Sequence, residues 1–389
     1  RRCNLDKWKY MDSFLNSLIK TGPAGCGCAV AKDGDILFEN YYGFADIENQ
    51  KPITESSVYR QFSTTKLVVV TAAMILFERG GFLLNDPISE YFPEWSDTQV
   101  AERLEDGTYN IRPAKRPIQV KDCFSMTMGI GYGGDDYTHK MMEKVRNELK
   151  AEVGDYTLRQ DIYAMSKVPI MFDPGTHWLY GFGHELVAGL IEVVSGKTVS
   201  EFLKEELFEP LGMKSTGYRY FGDMREQMVT LYRINEDGIR VPIKGMFDER
   251  MEPDAKYEAG GAGLFSSVRD YLAFSQMLAC GGSYKKNKII GKKTIDLMRT
   301  NQLNEQQLKE FRNSYLDGYG YGLGVRTMMD LSQGSNTSIG EFGWTGMMGT
   351  YVAIDPSERV SVVYMHNLQP NMEEYIHHRI RNIAFGAIE

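Results

Sequence analysis

Apolar and polar positions alternate with two different periods along this chain, and the change of period marks its parts. Leu5, Trp8, Leu15, Leu18 and Ile19 gather toward one side of an amphipathic helix over residues 5–20, which Gly22-Pro23 would stop. The next stretch, GCGCAVAKDGDILFENYYG, has two strand-like runs about Asp33-Gly34 and predicts a hairpin. From residue 66 to about 250 the pattern is mainly helical with turn-rich loops, its strongest helices at 64–79, 183–195 and 199–208. Long loops are expected at 96–118 and 131–160 and, with the acidic FDERMEPDAKYE, are expected to shape a cleft. Strand character returns at 261–267, then helix 268–279 and the alternating YGLGVRT. A second hairpin runs from GTYVAID through Pro356-Ser357 to RVSVVYMHN, and helix 372–385 closes the chain. The pattern predicts an α/β (α+β) fold, in which an antiparallel sheet drawn from both chain ends is flanked by helices and carries an inserted, mainly helical lobe. We read a single domain over 1–389, with the sheet lobe at about 1–60 and 255–389 and the helical lobe at about 61–254.

One run breaks the amphipathic rule. In RQFSTTKLVVVTAAMILFERGG, Leu67 to Phe77 is apolar on every side apart from Thr71, so its helix should be buried, with Gly80-Gly81 as its stop. Lys66 then falls in the first turn of a buried helix, where desolvation and the positive end of the dipole both disfavour its charge. The same two effects bring a lysine toward the range in which a neutral amine accepts a proton. Ser63 lies three residues earlier, within reach of that amine. Ser-x-x-Lys also occurs at Ser17–Lys20 and Ser283–Lys286. The first of these ends a helix, where a lysine suits the dipole, and the second sits in the polar turn GGSYKKNKIIG. On local chemistry alone, Ser63 and Lys66 fit both a nucleophile with its base and a helix N-cap followed by a snorkelling lysine.

Composition narrows the field. A formal charge of −8 without a basic run argues against a nucleic-acid or anionic-membrane surface. No segment reaches the length of apolar residues that a bilayer demands. Of the five cysteines, Cys26 and Cys28 sit two apart on one face of a strand, where a disulfide would be strained, so we read small buried thiols in a reducing compartment. That favours a cytoplasmic location. The first residues lack an apolar signal core, and the chain does not begin with Met, which leaves export open if a signal has been removed. A Ser–His–Asp hydrolase would want a G-x-S-x-G elbow, which the sequence lacks. His177 and His184 read as packing or hydrogen-bonding residues, and the His377-His378 pair gives no metal-ligand spacing. No cofactor or metal is called for, and nothing in the sequence speaks to oligomeric state.

Longer motifs add to this. Ser63-Thr64-Thr65-Lys66 is followed by GGFLLNDPISEYFPEW, and FDPGTHWLYGFGHELVAGLIEVVSGKTVSEFLKEELFEPLGM occupies 172–213. GGAGLFSSVRDYLAFSQMLACGG at 260–282 and GWTGMMGTYVAIDP at 343–356 complete the set. With these, nearly the whole chain resembles the serine β-lactamase and penicillin-binding-protein superfamily, particularly its class C β-lactamase, family VIII carboxylesterase and D,D-peptidase branch. The resemblance implies that Ser63 is the nucleophile, Lys66 its proton acceptor, and Tyr180 the tyrosine that shares the proton and delivers it to the leaving group. It implies a site-lining strand at Trp344, Thr345 and Gly346, and an oxyanion hole from the backbone N–H groups of Ser63 and Met347.

Two positions depart from the family pattern. Phe182 replaces the asparagine of Tyr-x-Asn, and Trp344 replaces the usual lysine or histidine. Both are expected to offer apolar walls and stacking in place of an amide-holding group and a cation. The implied function is a serine hydrolase acting through an acyl-enzyme on Ser63, as an esterase on small neutral acyl esters. A β-lactamase or D-amino-acid peptidase or amidase is the alternative within the family. A catalytically degenerate acyl- or peptide-binding sensor domain is the alternative of another class. The partner expected is a small-molecule ester, amide or peptide.

Overall fold

Asp33 and Gly34 take φ values of 55° and 90°, the two positive angles that a tight hairpin turn of matching twist requires. They join β1 (Gly25–Lys32) to β2 (Asp35–Asp46) in the first hairpin. The computed structural model describes residues 7–246, 248–314 and 317–388. β3 (Lys51–Pro52), β4 (Tyr319–Tyr321), β5 (Arg326–Met328), β6 (Phe342–Thr345), β7 (Tyr351–Asp355) and β8 (Val360–Met365) complete an eight-stranded sheet in the order β4-β5-β6-β7-β8-β1-β2-β3. Every pairing in it is antiparallel. The chain ends meet at its centre, where β1 pairs with β8 from Gly27 opposite Met365 to Lys32 opposite Val360.

β1 is buried on both faces, and its alternation sorts two layers. Cys26, Cys28 and Val30 pack with α1 (Lys9–Thr21) and the closing helix α5 (Glu373–Gly386), through Met11, Leu15, Leu18, Ile376 and Ile380. Ala29 and Ala31 face the larger core built around α2 (Thr65–Glu78), α3 (Gly183–Ser195) and α4 (Val268–Ala279). The four cysteines among the described residues are free thiols, and burial pushes the Cys26 thiol up to about 12. Among the described residues no helix is long and apolar enough to cross a membrane.

Both hairpins, α3 and α4 stand where the apolar pattern puts them. α1 starts at Lys9, and Leu5 lies outside the described residues. Three segments differ. Residues 96–118, expected as loop, contain a hairpin of Gln99–Arg103 with Tyr109–Pro113, turned at Gly107 with φ 84°. Residues 131–160 contain helix Tyr137–Val153 and the start of Leu158–Met165. The first of these helices buries only Thr138, Met142 and Val145, so its apolar stripe was too thin to register as periodicity. The strand expected over 261–267 shrinks to Phe265–Ser267, because the glycines before it form a turn that serves the site.

α2 is buried continuously from Thr65 to Leu76. Its entry is unusual, since Phe62 has φ 48°, a left-handed conformation costly for a bulky residue. The carbonyl of Gln61 locks it, accepting from the Thr64 hydroxyl (2.8 Å) and the Thr350 hydroxyl (2.9 Å). The turn from β6 to β7 therefore fastens directly onto the start of α2. Gly346 makes the close approach possible, because a Cβ there would stand 2.5 Å from that carbonyl oxygen. Gly349 has φ 110°, and its Cβ would stand 2.0 Å from Nε2 of the buried His366. Gly349→Ala should lower stability by about 2–4 kcal/mol, from strain and overpacking together. Urea unfolding followed by tryptophan fluorescence measures this, and an unchanged midpoint would contradict the packing described.

Candidate active site

The left-handed turn at Phe62 lifts Ser63 to the floor of a cleft of about 630 Å³, while its neighbours Phe62, Thr64 and Thr65 stay buried. Lys66, one turn further on, is 1% exposed, and its Nζ lies 3.2 Å from Ser63 Oγ. The amine also donates to the carbonyl of Gly261 at 2.7 Å. Above and below it stand the rings of Tyr132 and Tyr180, with centroids 4.9 and 4.7 Å away. Burial pulls the Lys66 pKa down to about 7, against an upward pull from the negative charge of Glu185. An amine at that balance is available in its neutral form near pH 7. Ser63 Oγ is thus placed beside a group able to take its proton.

Glu185 sits in the first turn of α3 and is itself buried, which raises its own pKa. Its carboxylate accepts from the backbone N–H of Gly260 (2.8 Å) and Gly261 (3.0 Å), so it fixes the peptide whose carbonyl holds Lys66. The Tyr257 hydroxyl lies 2.7 Å from Asp161 and 3.2 Å from Glu185, and Asp161 is paired with Arg146 through contacts of 2.9 and 2.6 Å. This network leads from the half-buried Arg146 through Asp161 and Tyr257 to the carboxylate that acts on the amine. Side chains at residue 261 are excluded, because a Cβ there would meet the Tyr132 hydroxyl at 2.2 Å and Lys66 Nζ at 3.3 Å.

Tyr180 comes from the loop before α3 and touches both ends of the constellation. It hydrogen-bonds with Ser63, and it accepts from the indole N–H of Trp344 at 3.0 Å. Burial raises its pKa, and these two hydrogen bonds pull the other way. The expectation that Trp344 supplies only an apolar wall is therefore corrected. Its ring packs on Tyr180 and Tyr321, yet its N–H stabilises negative charge on the phenol oxygen. Phe182 is likewise more than a bare wall. Its face is covered by the Arg146 guanidinium at 4.1 Å, and Tyr132 stands on it edge-to-face at 4.6 Å.

Thr345, Gly346 and Met347 line the cleft opposite, at the end of β6. Gly346 N donates to the Thr350 carbonyl (2.8 Å) and Gly349 N to that of Gly346 (2.9 Å), which fixes the turn bearing the half-exposed Met347. The other two Ser-x-x-Lys pairs are elsewhere. Ser17 is exposed on α1 with its hydroxyl on the Phe14 carbonyl, and Ser283 opens a short surface strand beside exposed Lys286. His177 pairs with Glu310 at 2.6 Å, and the buried His184 contacts the Phe124 carbonyl at 3.1 Å. Neither lines the cleft. Of the segments expected to shape it, 131–160 contributes Tyr132 and Arg146, and FDERMEPDAKYE contributes Arg250 and Tyr257. The 96–118 segment contributes nothing to the lining, since its hairpin is spent packing against Ile170.

Residues 15–385 match the family model described as Beta-lactamase. The chain belongs to that family. Its members are serine hydrolases built on the β-lactamase fold, and the resemblance read from the motifs is correct. The curated relatives include protein Rv1367c of Mycobacterium tuberculosis, 27% identical over 349 residues that span 87% of this chain and 84% of that one. Esterase EstB of Burkholderia gladioli is 24% identical over 369 residues, 91% of this chain and 88% of its own. Among solved structures, EstCE1, described as a hydrolase with promiscuous acyltransferase activity, superposes with a TM-score of 0.79 at 21% identity, covering 100% of both chains.

Sequence reasoning passed over Tyr132, Glu185, Gly261 and Glu373. Glu185 had a signal in GHELVAGLIEVV, one of two acids in a largely apolar helix and the one that precedes the continuous run LVAGLI, where burial of every side implies a buried charge. The aromatic Tyr132 carried none. A direct check of the electrostatics is the 13Cε shift of Lys66, assigned by its loss in Lys66→Arg. Its titration midpoint should fall near 7, in contrast to about 10.4 for a solvated lysine. Glu185→Gln removes the charge that raises it, so the midpoint should move to lower pH. A midpoint near 10 in the unaltered protein would refute the buried-amine description.

Proposed function

We propose that this protein is a serine hydrolase that forms an acyl-enzyme at Ser63 and acts on esters with small, neutral acyl groups. The observation that carries the proposal is the buried Lys66 amine, 3.2 Å from Ser63 Oγ and drawn down to about pKa 7, within an aromatic cleft. Kinship with the esterase EstB and the hydrolase EstCE1 supports the reaction class.

In this reading Lys66 takes the Ser63 proton as Oγ attacks the ester carbonyl. The oxyanion of the tetrahedral intermediate is met by the backbone N–H groups of Ser63 and Met347, whose two segments are joined through the Gln61 carbonyl. Tyr180 passes a proton from Lys66 to the departing alkoxide as the C–O bond breaks. Its raised pKa keeps it a phenol between turnovers, and the Trp344 N–H eases the moment at which it gives the proton up. Water then attacks the acyl carbon by the same route in reverse, restoring Ser63. Esters suit this relay because their leaving groups need less protonation than amides.

Ser63→Ala should abolish acyl-enzyme formation, while Ser17→Ala and Ser283→Ala should change rates little. Mass spectrometry after fluorophosphonate treatment locates the adduct, and an adduct on any other serine would falsify the assignment. Trp344→Phe keeps a ring but removes the indole N–H. It should lower ester turnover by about tenfold, the scale of one hydrogen bond of about 1–1.5 kcal/mol. Comparing kcat/KM for p-nitrophenyl butyrate and nitrocefin tests the substrate class. Equal efficiency on both would defeat the ester reading, and an adduct on Ser63 that never turns over would favour a sensor instead.

A further inference from the structure

Glu373 is the carboxylate of this cleft that the reaction above leaves without a task. It opens α5, and an acid in the first helical turn is ordinarily explained by the helix dipole. That explanation suits its exposed neighbour Glu374 but not Glu373, whose side chain turns into the cleft beside Thr345 and Asn371. Burial raises the Glu373 pKa, the Thr345 side chain pulls it the other way, and Glu373 adds to the burial that raises the Tyr180 pKa. Arg326 is the cation that acts on it, but Arg326 is buried and committed to Glu341 at 3.5 Å and to the Val352 carbonyl at 2.7 Å. The other cations of the cleft belong to a different group of residues. Arg146 is paired with Asp161 and covers Phe182, and Arg250 lies over Tyr257 at 4.6 Å.

We propose that Glu373 is a specificity-determining carboxylate that selects esters whose alcohol half carries a cationic group, such as a quaternary or primary ammonium. The inference rests on the reading of Ser63 as the acyl acceptor. Tyr180 protonates the leaving alkoxide and is hydrogen-bonded to Trp344, the residue that precedes Thr345 on β6. The alcohol half therefore lies on the Trp344–Thr345 side, where Glu373 waits. A cation there meets a half-buried carboxylate at the edge of an aromatic-lined cleft, a setting that attracts positive charge and repels a carboxylate.

Calorimetry on the Ser63→Ala protein tests this without requiring turnover. Butyrylcholine should bind about tenfold tighter than its uncharged carbon isostere 3,3-dimethylbutyl butyrate. In the Ser63→Ala/Glu373→Gln protein the two should bind within about twofold of each other. In the Ser63→Ala protein itself the preference should narrow with added sodium chloride, a readout that survives if the double variant misfolds. Equal affinities at low salt, or a preference that persists after Glu373→Gln, overturns the proposal. If the unaltered protein cleaves neither ester while Ser63→Ala keeps the salt-sensitive preference, the hydrolase reading fails and the cation site stands.

Discussion

A desolvated lysine beside a serine is the condition on which the rest of this site depends, and α2 creates it by being apolar on every side. A helix with a polar face would let the Lys66 head group reach water, and its pKa would return toward that of a free amine. Here every residue from Thr65 to Leu76 is buried, so the amine has only protein for solvent. Desolvation of this kind is destabilising unless the group finds partners. The Gly261 carbonyl and the two flanking tyrosine rings provide them without supplying an adjacent full negative charge.

Glu185 qualifies that statement in a useful way. It raises the Lys66 pKa, so it opposes the burial that lowers it, and the balance near 7 is the result of both. Because the carboxylate is held by two backbone N–H groups and by Tyr257, it cannot swing over to form a close ion pair with the amine. The intervening peptide of Gly261 keeps them apart. The glycine-rich segment 260–263 is thus as much a part of the electrostatics as the charged residues, and this is why it forms a turn where the alternating pattern suggested a strand.

Much of the fold was legible because its signals are local. The Asp33-Gly34 turn, the apolar run of α2 and the glycine stops each act within a few residues, and the four adjacent strands β7-β8-β1-β2 follow from pairing the two hairpins. The hairpin at 99–113 also carried an Asp-Gly turn, yet its exposed, polar strands gave no apolar alternation to match it. Ser63 and Lys66 were legible for the same local reason, being one helical turn apart. Tyr132, Gly261 and Glu373 were not, since they reach the cleft from segments separated by more than a hundred residues and share no periodicity with it. What sequence alone misjudged was Trp344. Residue type says aromatic wall, and only the position of Tyr180 relative to β6 makes its N–H a hydrogen-bond donor to the phenol.

Trp344 and Glu373 belong to one substitution in physical terms. A cation at residue 344 would stand against Tyr180 and stabilise its phenolate. With tryptophan there, the donor to Tyr180 is neutral, so the phenol stays protonated more firmly. Burial opposes the charge on the Glu373 carboxylate, and the Thr345 side chain and the buried Arg326 favour it. A neutral donor in place of a cation removes one positive charge from this end of β6 while leaving the hydrogen bond to the tyrosine in place. Exchanging an ammonium for an indole N–H at this strand position thus keeps a hydrogen-bond donor on the Tyr180 oxygen and removes a positive charge from the cleft wall.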